Sequence, residues 1–188
     1  MPPPDSLRTE RLLLRRWSAA DACELQPILE ANVERLKPWI PWTTAEPVPV
    51  PELEGRLARF NEDFDAGRAF RYAILPLSGR GLLGGASLHP RAGEGRVPFS
   101  QADHIEIGYW LRADATGRGF ATEAARALLA AAVALPHLTR VEIRCDPRNA
   151  PSAAVPRRLG FEHTATTAAM PSDMVWTLAI PGATPTGL

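Results

Sequence analysis

The chain predicts an α/β fold of the α+β kind: one mixed, mostly antiparallel sheet of about six or seven strands flanked by about four helices. Residues 104–111 alternate, with Ile105, Ile107, Tyr109 and Leu111 on one face and Glu106, Gly108 and Trp110 on the other, the period of a half-buried strand. Phe120, Ala124, Leu128, Ala131 and Leu135 then repeat at helical spacing. Along the chain the order runs strand, one or two helices, three strands, helix, strand, helix, strands, with no internal repeat.

Leu12-Leu13-Leu14 between Arg11 and Arg15 reads as the first strand. Ser18 with Asp21 three residues on is a helix start, where a side chain accepts from an orphan amide. The helix behind it carries Leu25, Ile28, Leu29 and Val33 on one face, and Pro27 inside it predicts a kink or a break. Residues 38–51 are irregular and proline-rich, with Trp39 and Trp42 bracketing Ile40-Pro41. Leu53, Leu57, Phe60 and Phe64 mark a second helix that Gly67 can end. Strands at 70–75 and 82–88 are joined by the hairpin Ser78-Gly79-Arg80-Gly81, and the Gly/Pro-rich segment 91–101 is expected to be a mobile loop. Val141, Ile143 and Cys145 alternate as a strand, 151–159 reads as a short helix ended by Gly160, and 174–180 supplies one or two strands.

With 188 residues, a single domain over 1–188 is expected, with 1–6 and 182–188 as flexible tails. Basic and acidic side chains balance at 21 each, which argues against nucleic acid or an acidic membrane as the main partner. Cys23 and Cys145 are the only cysteines and lie in no metal-type cluster, so neither a disulfide nor a metal site is expected. The start lacks the basic and apolar regions of a signal peptide, and no apolar run reaches the ~20 residues of a membrane span. A cytoplasmic protein is the expectation.

The most informative segment is the turn Thr116-Gly117-Arg118-Gly119-Phe120-Ala121, between the strand 104–111 and a long helix. A helix start leaves backbone amides without partners, and its dipole favours an anion there. Glycines admit a phosphate close to the backbone, so a pyrophosphate fits the amides of Arg118, Gly119, Phe120, Ala121 and Thr122. A bare Gly-x-Gly equally describes a tight turn. A dinucleotide fold would want a third glycine where Thr122 stands, and its acidic residue would be Glu142, inside a strand rather than at its end.

Four blocks carry a resemblance: LRTERLLLRRW at 7–17, LKPWIPW at 36–42, IEIGYWLRADATGRGFATEAARALL at 105–129 and RVEIRCDPRNAPSAAVPRRLGF at 140–161. In this order and spacing they resemble the GNAT acetyltransferases, and within them the RimJ/RimL branch of ribosomal-protein N-acetyltransferases. The superfamily's Gln/Arg-x-x-Gly-x-Gly/Ala falls on Thr116, Gly119 and Ala121, with Thr116 departing from the usual first residue.

The resemblance implies acetyl-CoA as co-substrate, no metal, and a primary amine as acceptor. That acceptor is either a protein N-terminus or a small amine, and a homodimer is compatible with it. Acetyl transfer needs a neutral amine, a donor for the oxyanion and a partner for the leaving thiolate. The resemblance makes Glu106 the base, often through water, with an ordinary polar residue on a solvated strand face as the other reading; it makes the Leu111 amide the oxyanion donor, and direct attack by a neutral amine is the other route. Asn149 and Ser152 match the branch's Asn-x-x-Ser, implying an asparagine on the pantetheine arm and a serine as acid or thiolate partner; plain helix-cap chemistry is the other reading. Many relatives carry a tyrosine acid where this chain has Pro156, which leaves Ser152 as the acid candidate. Cofactor contacts are expected from Leu111, Gly117, Arg118, Gly119, Phe120, Ala121, Thr122, Asn149 and Ser152. Trp39 and Trp42 either line an acceptor pocket or anchor the sheet. A non-catalytic acyl-CoA-binding regulatory module is the alternative from a different class.

Overall fold

The structure is a computed structural model that describes residues 1–164 and 173–181. Nine strands form one sheet: β1 (Ser6–Arg8), β2 (Leu12–Arg16), β3 (Phe70–Pro76), β4 (Gly84–Ala92), β5 (Gly95–Arg96), β6 (His104–Leu111), β7 (Arg140–Cys145), β8 (Glu162–Thr164) and β9 (Met174–Ala179). The helices are α1 (Ala22–Leu36), α2 (Val50–Asp65), α3 (Phe120–Val133) and α4 (Ala150–Arg158). The strand order is β1-β2-β3-β4-β6-β7-β9-β8, with β5 on β4. All neighbours are antiparallel except β6 and β7. The sheet exceeds the expected six or seven strands because β1, β5 and β8 are only two or three residues long, too short for a side-chain period to show.

Helix starts form where expected. Ser18 accepts from the Ala20 amide (3.3 Å) while Asp21 accepts from the Ser18 amide (2.8 Å), which closes a short 3-10 turn that leads into α1. Pro27 does not break α1, which runs on to Leu36. The proline stands in the second turn, so the acceptor it leaves without a helical donor is the carbonyl of exposed Cys23. Two other expectations are corrected. Segment 91–101 closes the β4–β5 hairpin and a 3-10 turn, held by the Val97 amide on Pro90 and the Phe99 amide on Gly67. Within the expected tail 1–6, residues 3–6 are held: Pro3 is buried, the Pro4 carbonyl accepts from the Tyr72 hydroxyl at 2.8 Å, and the Asp5 carbonyl accepts from the Arg16 amide at 3.0 Å. Residues 182–188, expected as the other tail, lie outside the described residues.

The two faces of the sheet differ. On one, α3 lays Phe120, Ala124, Leu128 and Ala132 on Tyr72, Leu88, Ile105, Ile107 and Val141. Burying each large side chain there contributes roughly 1.5–3 kcal/mol. On the other face, α1 and α2 pack Leu25, Leu29, Leu53 and Leu57 on Trp17, Ala73, Leu75 and Leu82. Beyond these helices the same face turns charged. Glu106 pairs with Arg91 (2.5 Å), and Arg144 pairs with Glu142 (3.0 Å) and Glu94 (2.9 Å). Buried charges persist only when paired in this way.

Two central strands part within the sheet. β6 and β7 pair from His104↔Arg140 to Ile107↔Ile143 and no further. Past that point β6 stays on β4 to Leu111↔Gly84, and β7 stays on β9 to Cys145↔Met174. Each strand follows its outer partner, so a gap opens between them.

Candidate active site

The gap continues into a cleft of about 1100 Å³ that runs past the start of α3 and between α3 and α4. At one end lies the glycine turn. Gly117 (φ 72°) and Gly119 (φ 81°) take left-handed backbone, and a Cβ on Gly119 would stand 3.3 Å from the Arg11 guanidinium. Glu123 is the first amide to find a helical acceptor, the Gly119 carbonyl at 3.0 Å. The amides of Gly117 to Thr122 therefore have no such partner, and Gly117, Gly119, Phe120, Ala121 and Thr122 all line the cleft.

Arg118 is placed differently from the others. Its side chain stands over the Phe120 ring, 4.8 Å from the centroid, and is not part of the cleft wall. The cation that braces the turn is Arg11, across from β2: it donates to the Arg118 carbonyl (3.0 Å) and pairs with Glu123 (2.6 Å). Burial alone would raise the Glu123 carboxyl, but hydrogen bonds from Thr9 and Arg11 outweigh it and hold it low. Nothing near 116–122 in sequence announces Arg11; the signal was an arginine directly before an apolar strand, 112 residues from Glu123.

Six arginines line the cleft, Arg8, Arg11, Arg35, Arg126, Arg144 and Arg158, against the carboxylates Glu10, Glu123 and Asp146. The wall of this cleft thus carries an excess of positive charge in a chain of zero net charge.

At the other end, the Arg112 amide donates to the Leu83 carbonyl (2.8 Å) on the β4 side. Alternation along an antiparallel strand then turns the Leu111 N–H and C=O to the opposite edge, into the gap. Arg35 of α1 donates to that Leu111 carbonyl, and Asn32 accepts from the Ala113 amide (2.8 Å), so α1 fixes the free end of β6. Ser152 and Asn149 face the gap from α4. Asn149 caps that helix, its side-chain oxygen accepting from the Ser152 amide at 3.2 Å, which leaves its own NH₂ to the cleft. Cys145 also lines the wall, and burial raises its thiol.

Glu106 does not reach the cleft wall. Its carboxylate sits on Arg91, 3.8 Å from Arg144, and Arg144 is the residue that faces the cleft. Trp39 lines the cleft and is 36% exposed, open to a ligand and not a core anchor. The side chain of Trp42 lies outside the described residues; its backbone is in the 3-10 turn Pro41–Ala45. Tyr109 was placed by its alternation on the apolar face, and it is there, yet its hydroxyl reaches Ser152. No pattern in the sequence distinguishes that hydroxyl from a core phenyl ring. Among the described residues, no group of three His, Cys, Asp or Glu side chains could hold a metal ion, and no helix is long and apolar enough to cross a membrane.

The acetyltransferase (GNAT) domain family matches residues 11–162. The YdaF N-acetyltransferase of Bacillus subtilis (strain 168) is 29% identical over 156 residues, covering 81% of this chain and 78% of that protein. The ribosomal protein uS5-alanine N-acetyltransferase of Escherichia coli (strain K12) is 26% identical, covering 83% and 77%. A solved structure of RimL, a ribosomal L7/L12 α-N-protein acetyltransferase in complex with coenzyme A, superposes with a TM-score of 0.75 at 21% identity, covering 93% of this chain and 98% of that one. With the family's domain spanning 11–162, the chain belongs to the GNAT acetyltransferases, enzymes that carry an acetyl group from acetyl-CoA to an amine.

Proposed function

We propose that the cleft holds acetyl-CoA with its pyrophosphate on the amides of 118–122 and its thioester at the β6–β7 gap, and passes the acetyl group directly to a primary amine in a ternary complex. The observation that carries this reading is the continuity of one cleft from unpaired helix-start amides to the parted strands. A preorganised anion site at one end and a free edge amide at the other suit a long cofactor whose charge and reacting group lie apart.

In this reading the neutral amine attacks the thioester carbonyl. The Leu111 amide donates to the oxyanion, and the Ser152 hydroxyl donates to the sulfur as it leaves with the electron pair of the broken C–S bond. Glu106 takes the amine proton only through intervening water, because Arg91 holds its carboxylate away from the cleft. Arg35, Trp39 and, by sequence position, Trp42 belong to the acceptor side.

The acceptor we favour is a protein N-terminal α-amine, the substrate type named for the uS5-alanine and L7/L12 enzymes. An acceptor screen that reads free thiol tests this, with N-terminal peptides beside small amines. Peptide turnover is the expected result, and turnover of small amines alone would remove the protein acceptor. Binding of acetyl-CoA without thiol release across the whole panel would leave only the regulatory-module reading. Acetyl-CoA should also raise the melting temperature where NAD does not.

A further inference from the structure

Pro156 lies inside α4, where an amide would normally donate back to the carbonyl four residues earlier. That carbonyl belongs to Ser152, and proline has no amide to offer it. A half-buried carbonyl left in this way is costly unless another donor reaches it. Tyr109 supplies one from a different element: its hydroxyl donates to the Ser152 carbonyl at 3.1 Å, and the same oxygen is 3.3 Å from Ser152 Oγ. Among the described residues this hydroxyl has no other partner.

The link crosses the gap. Tyr109 stands on β6 two residues past the last β6–β7 pair, and α4 follows β7. We infer that Tyr109 and Pro156 form a matched pair that positions Ser152 for the departing sulfur: Pro156 empties the serine carbonyl, and Tyr109 ties it to β6. The inference rests on the reading of Ser152 as the partner of the thiolate.

The consequence for the serine is specific. Its amide is held by Asn149 (3.2 Å) and its carbonyl by Tyr109, so the backbone of Ser152 is fixed on both sides. Having given its one proton to the carbonyl, the tyrosine oxygen can only accept from the serine hydroxyl. The hydroxyl therefore has a resting acceptor in Tyr109 and turns from it to the sulfur as charge develops there. Burial keeps the phenol protonated, pushing it well above the ordinary tyrosine range, so the donor is present throughout the working pH. Tyr109 is a positioning residue in this account and exchanges no proton with the substrate.

The test is a set of double-mutant cycles read as kcat under saturating acceptor, with acetyl-CoA affinity and melting temperature measured for every variant. Tyr109→Phe should lower kcat about 10-fold while the dissociation constant for acetyl-CoA moves less than about 2-fold. In a Pro156→Ala chain residue 156 again has an amide for the Ser152 carbonyl, so the same Tyr109→Phe change should cost only about 2- to 3-fold. Equal losses in the two backgrounds overturn the pairing, as does a loss confined to cofactor affinity or melting temperature. In a Ser152→Ala chain, Tyr109→Phe should cost nothing further; a full additional loss means that tyrosine acts elsewhere. Were Ser152→Ala itself to leave kcat unchanged, the serine reading would fall, and the inference with it.

Discussion

The two ends of the cleft are made of different material. The end we assign to the phosphates is backbone: residues 117–122, whose amides lack helical acceptors and which include two left-handed glycines. The gap end is assembled from side chains and strand edges of α1, β6, β7 and α4, residues from Arg35 to Ser152. An anion site of the first kind needs no particular side chain, so the departure at Thr116 leaves its amides in place. Thr116 instead donates its hydroxyl to the Ala113 carbonyl at 2.6 Å. A site of the second kind depends on each group that holds it, and a single hydroxyl can matter.

The contrast breaks most sharply at the gap end. Ser152→Ala should reduce kcat on the order of 100-fold with little change in acetyl-CoA affinity, measured as thiol release and by calorimetry. A purely structural serine would instead show a lower melting temperature with kcat retained.

The phosphate end should answer in the opposite currency. Gly119→Val forces a branched side chain into left-handed backbone beside Arg11, at a cost of ~1–3 kcal/mol. Acetyl-CoA affinity should weaken roughly 10- to 100-fold while kcat at saturation holds. A fall in kcat with unchanged affinity would mean that the cofactor does not rest on this turn.

A third change sharpens the boundary of the gap end. Glu106→Gln should lower kcat no more than about 10-fold, because Arg91 already occupies the carboxylate. A loss of several hundred-fold would show that the carboxylate leaves Arg91 for the acceptor during turnover.

The last effect lies beneath both ends, on the charged face, and touches stability without touching kcat. Burial, with Arg96, Arg71 and Arg91 nearby, holds His89 well below its ordinary 6.5. The folded chain keeps this imidazole neutral while the unfolded chain protonates it, so the His89 contribution is constant above pH 6.5 and costs stability as pH drops below it, by up to ~1.4 kcal/mol per pH unit. Glu142 behaves as a carboxylate does: burial would raise it, but His104, Arg140 and Arg144 outweigh this and depress it below 4.5. Its contribution is present above 4.5 and is lost as pH falls through the depressed value. Urea melts across this range should show both phases, and His89→Gln should remove the first alone.

Legibility followed the same division. The strand 104–111, the helix behind it and the turn between them were readable because each rests on local periodicity or on glycine backbone. Asn149 and Ser152 were singled out by spacing, though the cap and the catalytic reading predict the same residues; in the structure Asn149 caps α4. Glu106 was expected at the acceptor because the strand period gives the face and not what else is crowded onto it. Arg91, opposite His104 on the neighbouring strand, holds that carboxylate.

Alone, the amino-acid sequence determined the family, the long elements and the glycine turn, since all three reside in contiguous residues and their spacing. Tertiary structure alone decided that Arg11 braces the turn, that Arg91 restrains Glu106, and that Tyr109 answers the carbonyl Pro156 leaves open. Each of these joins groups 15 to 112 residues apart through strands that part or cross over, and no local period records which distant side chain arrives.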